Sequence, residues 1–183
     1  MATTIKNRDS IFLGLGKLYI GDCSSNISYT TPVLDSSHYI GAQAEIGFTA
    51  ERKFVQEFTY STTAGSLLLK RAVSLGASFV LNVTLLELTA KNLSYSFGGD
   101  GSSGNILNDI VSQPVELRAE VVFTFPNKVN TMKIILPRNI ITTEFISLNF
   151  QNEDAVNIPI SINSVHADNS SWVDDPYGKF IFA

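Results

Sequence analysis

Residues 115–125 read V-E-L-R-A-E-V-V-F-T-F and carry the clearest strand pattern in the chain. Because successive side chains of a β-strand point to opposite faces, this alternation predicts a strand that buries one face. Apolar side chains at every second position from Val115 to Phe125 share the buried face. The other face carries Glu116, Arg118, Glu120 and Thr124, together with Val122.

The same alternation continues on both sides of this stretch and predicts a mainly β fold. It is clear over 44–50 and 77–85, where apolar side chains alternate with mostly polar ones. Shorter runs at 17–20, 131–136, 145–150 and 156–165 predict further strands.

Two long strand-like segments, 44–60 and 67–85, are separated only by the polar sequence S-T-T-A-G-S at 61–66. A glycine within a short polar segment is typical of a turn, so the pattern predicts a hairpin over 44–85. Each of its strands would far exceed the usual ~5–6 residues. Such a hairpin would project beyond the domain as an arm, with a loop near 54–67.

Large apolar residues gather near the predicted tip of this arm. The candidates for contact with another subunit are Phe54, Phe58, Tyr60, Leu67 and Leu68. Apolar groups on a projecting arm need a partner surface, because otherwise they promote aggregation. The alternative is that the arm folds back onto its own core.

One segment departs from the strand pattern. Over 89–97, Ala90, Leu93 and Phe97 recur at helical spacing, Thr89 can cap the start, and two glycines follow. We expect a short helix whose apolar side packs on the sheet.

Composition limits the classes of function. The chain has 183 residues, of which 16% are charged, with a net charge of −4. This length suits one domain, 1–183, and the net negative charge argues against binding of nucleic acid. A single cysteine, Cys23, excludes an intrachain disulfide and a cysteine-based zinc site. The apolar run at 11–13 is too short for a signal-peptide core or a membrane span.

The residues that could support catalysis show no specific pattern. His38 and His166 each have an aspartate nearby, Asp35 and Asp168, but both pairs fall in polar segments typical of solvated loops. The pair Asp174-Asp175 precedes a proline and is typical of a turn. We predict that the protein is not an enzyme and that it uses no cofactor and no metal.

Four stretches, taken in order, resemble the major tail tube proteins of long-tailed bacteriophages. They are G-L-G-K-L-Y-I-G-D (14–22), Y-I-G-A-Q-A-E-I-G-F-T-A-E (39–51), the long stretch 66–99, and A-D-N-S-S-W-V-D-D-P-Y-G-K-F-I-F (167–182). Within 66–99, a long strand ends in L-L-E-L-T, passes into the short helix and closes on glycines. The likeness covers nearly the whole chain and departs from the family at 100–113, which resembles a variable insertion.

The resemblance implies two antiparallel sheets in a sandwich or barrel, one flanking helix and a long hairpin. It also implies hexameric rings that stack through the hairpin, an N-terminal arm at 1–15 and a C-terminal strand and arm at 167–183. The resulting tube would hold a tape-measure protein and later pass double-stranded DNA. Further expected partners are the tail terminator and the baseplate or distal tail proteins. We expect assembly in the host cytoplasm and a final location in the virion tail.

Carboxylates on polar strand faces are candidates for the wall of such a channel, because a conduit should not bind the phosphates that pass through it. The candidates are Glu45, Glu51, Glu116 and Glu120. The alternative is that they face outward into solvent.

A second hypothesis is a β-sandwich module that binds carbohydrate or a receptor on a virion tail. Exposed loop aromatics would carry such a site, and Trp172 and Tyr177 are the candidates. The competing interpretation is that Trp172 packs the C-terminal arm onto the sheet.

Overall fold

Strands dominate the computed structural model, which describes residues 16–61, 63, 65–102, 113–124, 131–143 and 157–182. The strands are β1 (Lys17–Asp22), β2 (Gln43–Ser61), β3 (Ser66–Leu85), β4 (Leu117–Thr124), β5 (Thr131–Ile141), β6 (Ile158–Ser164) and β7 (Lys179–Phe182). One α-helix, α1 (Ala90–Ser96), and two short 3-10 helices, Ser36–His38 and Ser170–Trp172, accompany them in the described ranges. The mainly β prediction with one short helix is therefore confirmed. The predicted strand at 145–150, the N-terminal arm at 1–15 and most of 100–113 lie outside the described residues.

All described strand pairs are antiparallel and follow the order β1-β4-β5-β6-β3-β2, with β7 also paired to β5. Strand β5 forms the corner between two layers. It pairs with β4 over Thr131–Asn139 and with β7 over Met132–Ile135, whereas its last residues, Asn139–Ile141, pair with β6. The first layer is thus β1, β4, β5 and β7, and the second is β2, β3 and β6. In the described strands β1 and β2 end the path without pairing to each other, so the fold is a sandwich and not a closed barrel.

The main core lies between these two layers. The first layer contributes the predicted alternating face of β4, with Leu117, Ala119, Val121 and Phe123 buried. The second layer contributes alternating residues of β3 and β6, namely Leu81, Val83, Leu85, Ile158, Ile160 and Ile162. Fully burying one such aliphatic side chain contributes roughly 1.5–3 kcal/mol, so this interface is the main source of stability.

Helix α1 closes the core at one end of the sandwich. The Thr89 hydroxyl accepts a hydrogen bond from the Asn92 amide at 3.1 Å, and Gly98 ends the segment with φ +84°. The predicted helix over 89–97 is confirmed. Leu93 of the predicted apolar side packs against the core, but Ala90 is exposed, and the fully buried side chains of the helix include Asn92 and Tyr95. Asn92 tolerates burial because its amide donates to the backbone carbonyls of neighbouring loops.

A smaller apolar cluster covers the outer face of the first layer. Ile135 of β5, Ala167 and Trp172 are buried there, and Ile27 and Ile181 pack against them. We call residues 26–34 the strap, because this segment crosses the outer face of β4. The first layer is therefore covered on both faces, a feature that the alternation of β4 alone did not predict.

Candidate assembly surfaces

The hairpin β2–β3 extends well beyond the sandwich. Strand β6 pairs with β3 only over Val80–Leu85, and beyond Val80 the described part of β3 pairs with β2 alone. From Ala50, opposite Phe79, the ladder continues to Ser61, opposite Ser66. At about 3.3 Å per residue, this two-stranded arm projects about 35 Å. The predicted long hairpin is confirmed, with β2 ending at Ser61 and β3 beginning at Ser66.

The arm carries two irregularities of register, between Lys53 and Phe54 and between Glu57 and Phe58. Bulges of this kind bend a ribbon and increase its right-handed twist. An ion pair between Arg71 and Glu57 joins the two strands. Because both side chains are largely exposed, the pair adds at most about 1 kcal/mol. The pairing of the β2 and β3 backbones, with its two bulges, therefore determines the shape of the arm.

An exposed apolar surface lies near the end of the arm. Phe58 is 51% exposed, Tyr60 is 62% and Leu67 is 66%. Tyr60 and Leu67 are opposite each other in the register, and Phe58 lies two residues along, so all three share one face. We call these three residues the tip patch. The side chains of the other two predicted contact residues, Phe54 and Leu68, lie outside the described residues.

Strand β2 lies at the edge of the sheet formed by the described strands. Its 19 residues pair with β3 on one side, and no described strand pairs with its other side. A long unpaired edge offers a row of backbone donors and acceptors to another chain. This edge is a second surface at which copies of the chain could join.

The outer face of the second layer is polar and open. Glu45 and Glu51 are exposed on β2, with Thr84 and Ser78 opposite them on β3. Asn82 is exposed on β3, where its side chain accepts a hydrogen bond from Ser161 of β6 at 2.8 Å. This face therefore presents hydroxyls, amides and two carboxylates. The assignment of Glu45 and Glu51 to a channel wall stays a prediction.

Glu120 is buried in the first layer, so the prediction that it lines the channel wall is wrong. Its side chain is 2% exposed and pairs with Arg118, which is fully buried, at 2.7 Å. The Glu120 carboxylate also accepts hydrogen bonds from the amides of Val33 and Leu34 in the strap. Arg118 donates to three strap carbonyls, those of Asn26, Tyr29 and Thr31. The pair fixes the strap to β4, because every charge that it buries is matched by a partner.

Glu116 is not brought together with Glu45 and Glu51 either. It lies just before β4 in the first layer, is about half exposed, and pairs with Arg138. Hydrogen bonding to Glu116 raises the pKa of Arg138 above its ordinary value. Glu116 therefore belongs to a surface ion pair on the layer opposite to β2.

The aromatic candidates for a ligand-binding module do not form an exposed site. Trp172 is 2% exposed, and its indole N–H donates to the Ile27 carbonyl at 2.6 Å. Tyr177 is partly buried between Phe79 and His166. Trp172 is therefore not available as a binding surface, and the alternative interpretation, that it packs the C-terminal segment onto the sheet, is confirmed.

The C-terminal segment ends on the sandwich as a strand. β7 pairs with β5 from Lys179 to Phe182, and the Phe180 ring meets Phe48 of β2 edge to face, with centroids 5.1 Å apart. Phe48, Phe79, Tyr177 and Phe180 line a cleft of about 260 Å³ at the root of the arm. This cleft links the C-terminal strand to the base of the projecting hairpin.

The residues considered for catalysis form local loop contacts. Asp35 caps the turn at 36–38, and hydrogen bonds from Ser37 and His38 lower its pKa to about 2. His166 accepts a hydrogen bond from the Asp168 amide, and burial raises the pKa of the Cys23 thiol. Within the described ranges, no three His, Cys, Asp or Glu side chains cluster as metal ligands would. Nor is any helix there long and apolar enough to span a membrane.

Comparison with known proteins gives structural neighbours but no family. No protein family matches the sequence, and no curated protein matches it. A chain in the virion of a native gene transfer agent particle is 11% identical, covering 91% of this chain and 95% of its own, with a TM-score of 0.47. A chain in the tail of an empty gene transfer agent particle with C6 symmetry is 10% identical, covering 81% and 90%, with a TM-score of 0.42. Both TM-scores are below 0.5, so neither likeness assigns a function to this chain.

Proposed function

We propose that this protein is a structural subunit that assembles with copies of itself into stacked hexameric rings. The rings form the tail tube of a bacteriophage-like particle. The observation that carries the proposal is the hairpin arm, which projects about 35 Å and exposes the tip patch at its end. An exposed apolar surface near the end of an arm that pairs with no other described strand is accounted for by a partner that covers it. The resemblance of the sequence to tail tube proteins supports the same assignment.

Two kinds of contact are needed to build a tube from one subunit. A heterologous contact that closes on itself gives a ring, and a second contact that does not close gives stacking. The open edge of β2 suits the first, because joining sheets between neighbours removes exposed edges. The arm suits the second, because it reaches beyond the body of its own subunit.

We infer the position of the channel wall from the outer sheet face that is exposed in the subunit. The outer face of the first layer is covered by the strap and by the cluster around Trp172. The outer face of the second layer is open and carries Glu45 and Glu51. We assign the lumen to this face, because its carboxylates repel phosphate and let double-stranded DNA pass without being held.

On this proposal the protein acts as a structural element of the virion and not as an enzyme. The tape-measure protein would occupy the channel before DNA does. The tail terminator and the baseplate or distal tail proteins would bind the two ends of the tube, which assembles in the host cytoplasm.

Negative-stain electron microscopy of the purified protein tests the proposal. We expect rings with a central channel at low concentration and tubes of stacked rings at high concentration. The result that counts against it is a monomer at every protein and salt concentration, as measured by sedimentation velocity.

A further inference from the structure

A second exposed apolar surface lies at the opposite end of the long hairpin. Leu86 and Leu88 follow directly after the last residue of β3, and they are 38% and 42% exposed. Between them, Glu87 turns toward the 41–42 turn, where its carboxylate accepts a hydrogen bond from the Ala42 amide at 2.9 Å. We call Leu86 and Leu88 the base step. This hydrogen bond holds the exposed Glu87 side chain against residues 41–42, and the two leucines on either side of it are exposed as well.

The base step is held in place by several hydrogen bonds. The Leu86 amide donates to the Ala42 carbonyl at 2.9 Å. The buried Asn92 side chain donates to the Glu87 carbonyl at 2.8 Å and to the Ile40 carbonyl at 3.1 Å. A surface fixed in this way loses little conformational freedom when it is covered, which favours binding.

A chain cannot cover its own base step with its own tip patch. β2 and β3 remain paired from Gln43 and Leu85 to Ser61 and Ser66, so the two surfaces lie at opposite ends of one ribbon. The 20 residues of β3, at about 3.3 Å each, separate them by about 65 Å. The two surfaces can therefore meet only between different copies of the chain.

Charge does not oppose such a contact. The described charges nearest the tip patch, Glu57 and Arg71, neutralise each other. At the base step, the Glu87 carboxylate is directed to the Ala42 amide, and the Lys91 ammonium donates to the Ser37 carbonyl. Like charges across an interface would cost several kcal/mol, and none of these groups sets up such a pair.

We infer that the base step of one copy receives the tip patch of the next copy, so that subunits stack head to tail. The inference rests on the proposed function and adds to it the receiving surface. A contact between two different surfaces at opposite ends does not close on itself, so it produces growth along one axis.

The test uses two variants that each remove one side of the contact. The base variant, Leu86→Ser with Leu88→Ser, keeps its tip patch. The tip variant, Phe58→Ser with Leu67→Ser, keeps its base step. Val173→Ser is the matched control, because Val173 is an exposed apolar residue outside both surfaces. Circular dichroism checks that each variant is folded.

We expect each variant alone to form single rings without tubes, and the control to form tubes like the wild type. A mixture of the two variants should form stacks of two rings and no longer ones, because only one tip-to-base contact remains possible. Electron microscopy and sedimentation velocity measure the stack length.

The outcomes separate this inference from the proposed function. Tubes of normal length from the base variant, beside wild-type tubes, would overturn only the inference. A mixture that gives no two-ring stacks would do the same. Wild-type protein that never forms rings or tubes would overturn the proposed function and the inference together.

Discussion

Among single residues, Arg118 and Glu120 show what the alternation of a strand predicts about a side chain and what it does not. Alternation correctly assigned both side chains to the face of β4 opposite the main core. It did not predict that this face is buried, because the cover comes from the strap, which is distant in sequence. The available signal was a pair of opposite charges two residues apart on one strand face, which fits a buried ion pair as well as a solvated face.

Removing one partner of this buried pair should destabilise the fold strongly. Glu120→Leu leaves the Arg118 charge unpaired and deprives the Val33 and Leu34 amides of their acceptor. We expect a loss of about 3–5 kcal/mol in the free energy of unfolding, measured by urea denaturation. The matched control is Glu116→Leu, which removes a partly exposed Glu–Arg pair next to β4 and should cost about 1 kcal/mol or less. Equal losses in the two variants would show that Glu120 is not a buried anchor.

At the scale of secondary-structure elements, the hairpin was predictable because its signals are local. Alternation over 44–50 and 77–85, with a polar turn between, fixed both strands to within a residue or two. The helix was equally local, through the Thr89 cap and the glycines that follow it. The pairing of β5 with three strands was not predictable, because contacts between distant segments leave no mark in the spacing of either one.

Shortening the arm should separate folding from assembly. Deleting Phe58–Leu67 and closing the hairpin with Asn-Gly removes the tip patch, while β6 still pairs with β3 over Val80–Leu85. We expect the free energy of unfolding to change by less than about 0.5 kcal/mol, because the side chains of the tip patch are exposed and are not part of the core. Stacking should be lost, as seen by electron microscopy. The control is Thr63→Ala, a change within the turn that leaves the tip patch intact, and this variant should still form tubes. An unchanged yield of tubes from the deletion variant would refute the role of the arm in stacking.

For the whole molecule, the two layers differ in what covers their outer faces. The strap and the cluster around Trp172 cover the outer face of the first layer. The second layer exposes a polar face beside the edge of β2 that no described strand covers, where joined neighbours would extend one continuous sheet. The sequence suggested all four glutamates as candidates for the channel wall. Only the layering shows that Glu45 and Glu51 share a free face, since Glu116 and Glu120 belong to the other layer.

Reversing the charge of that face should make the channel bind DNA instead of letting it pass. In tubes of the Glu45→Lys, Glu51→Lys variant, ring after ring of ammonium groups would line the lumen and bind phosphate by releasing counterions. We expect these tubes to purify with nucleic acid that resists nuclease digestion, because the tube wall shields it, and to lose it steeply as salt is raised. The control is Asp174→Lys with Asp175→Lys, exposed positions on the C-terminal segment outside the second layer. Nucleic acid bound there should be digested completely, since it lies on the outside. If nuclease digests the nucleic acid on both variants equally, Glu45 and Glu51 face outward and the lumen belongs to another surface.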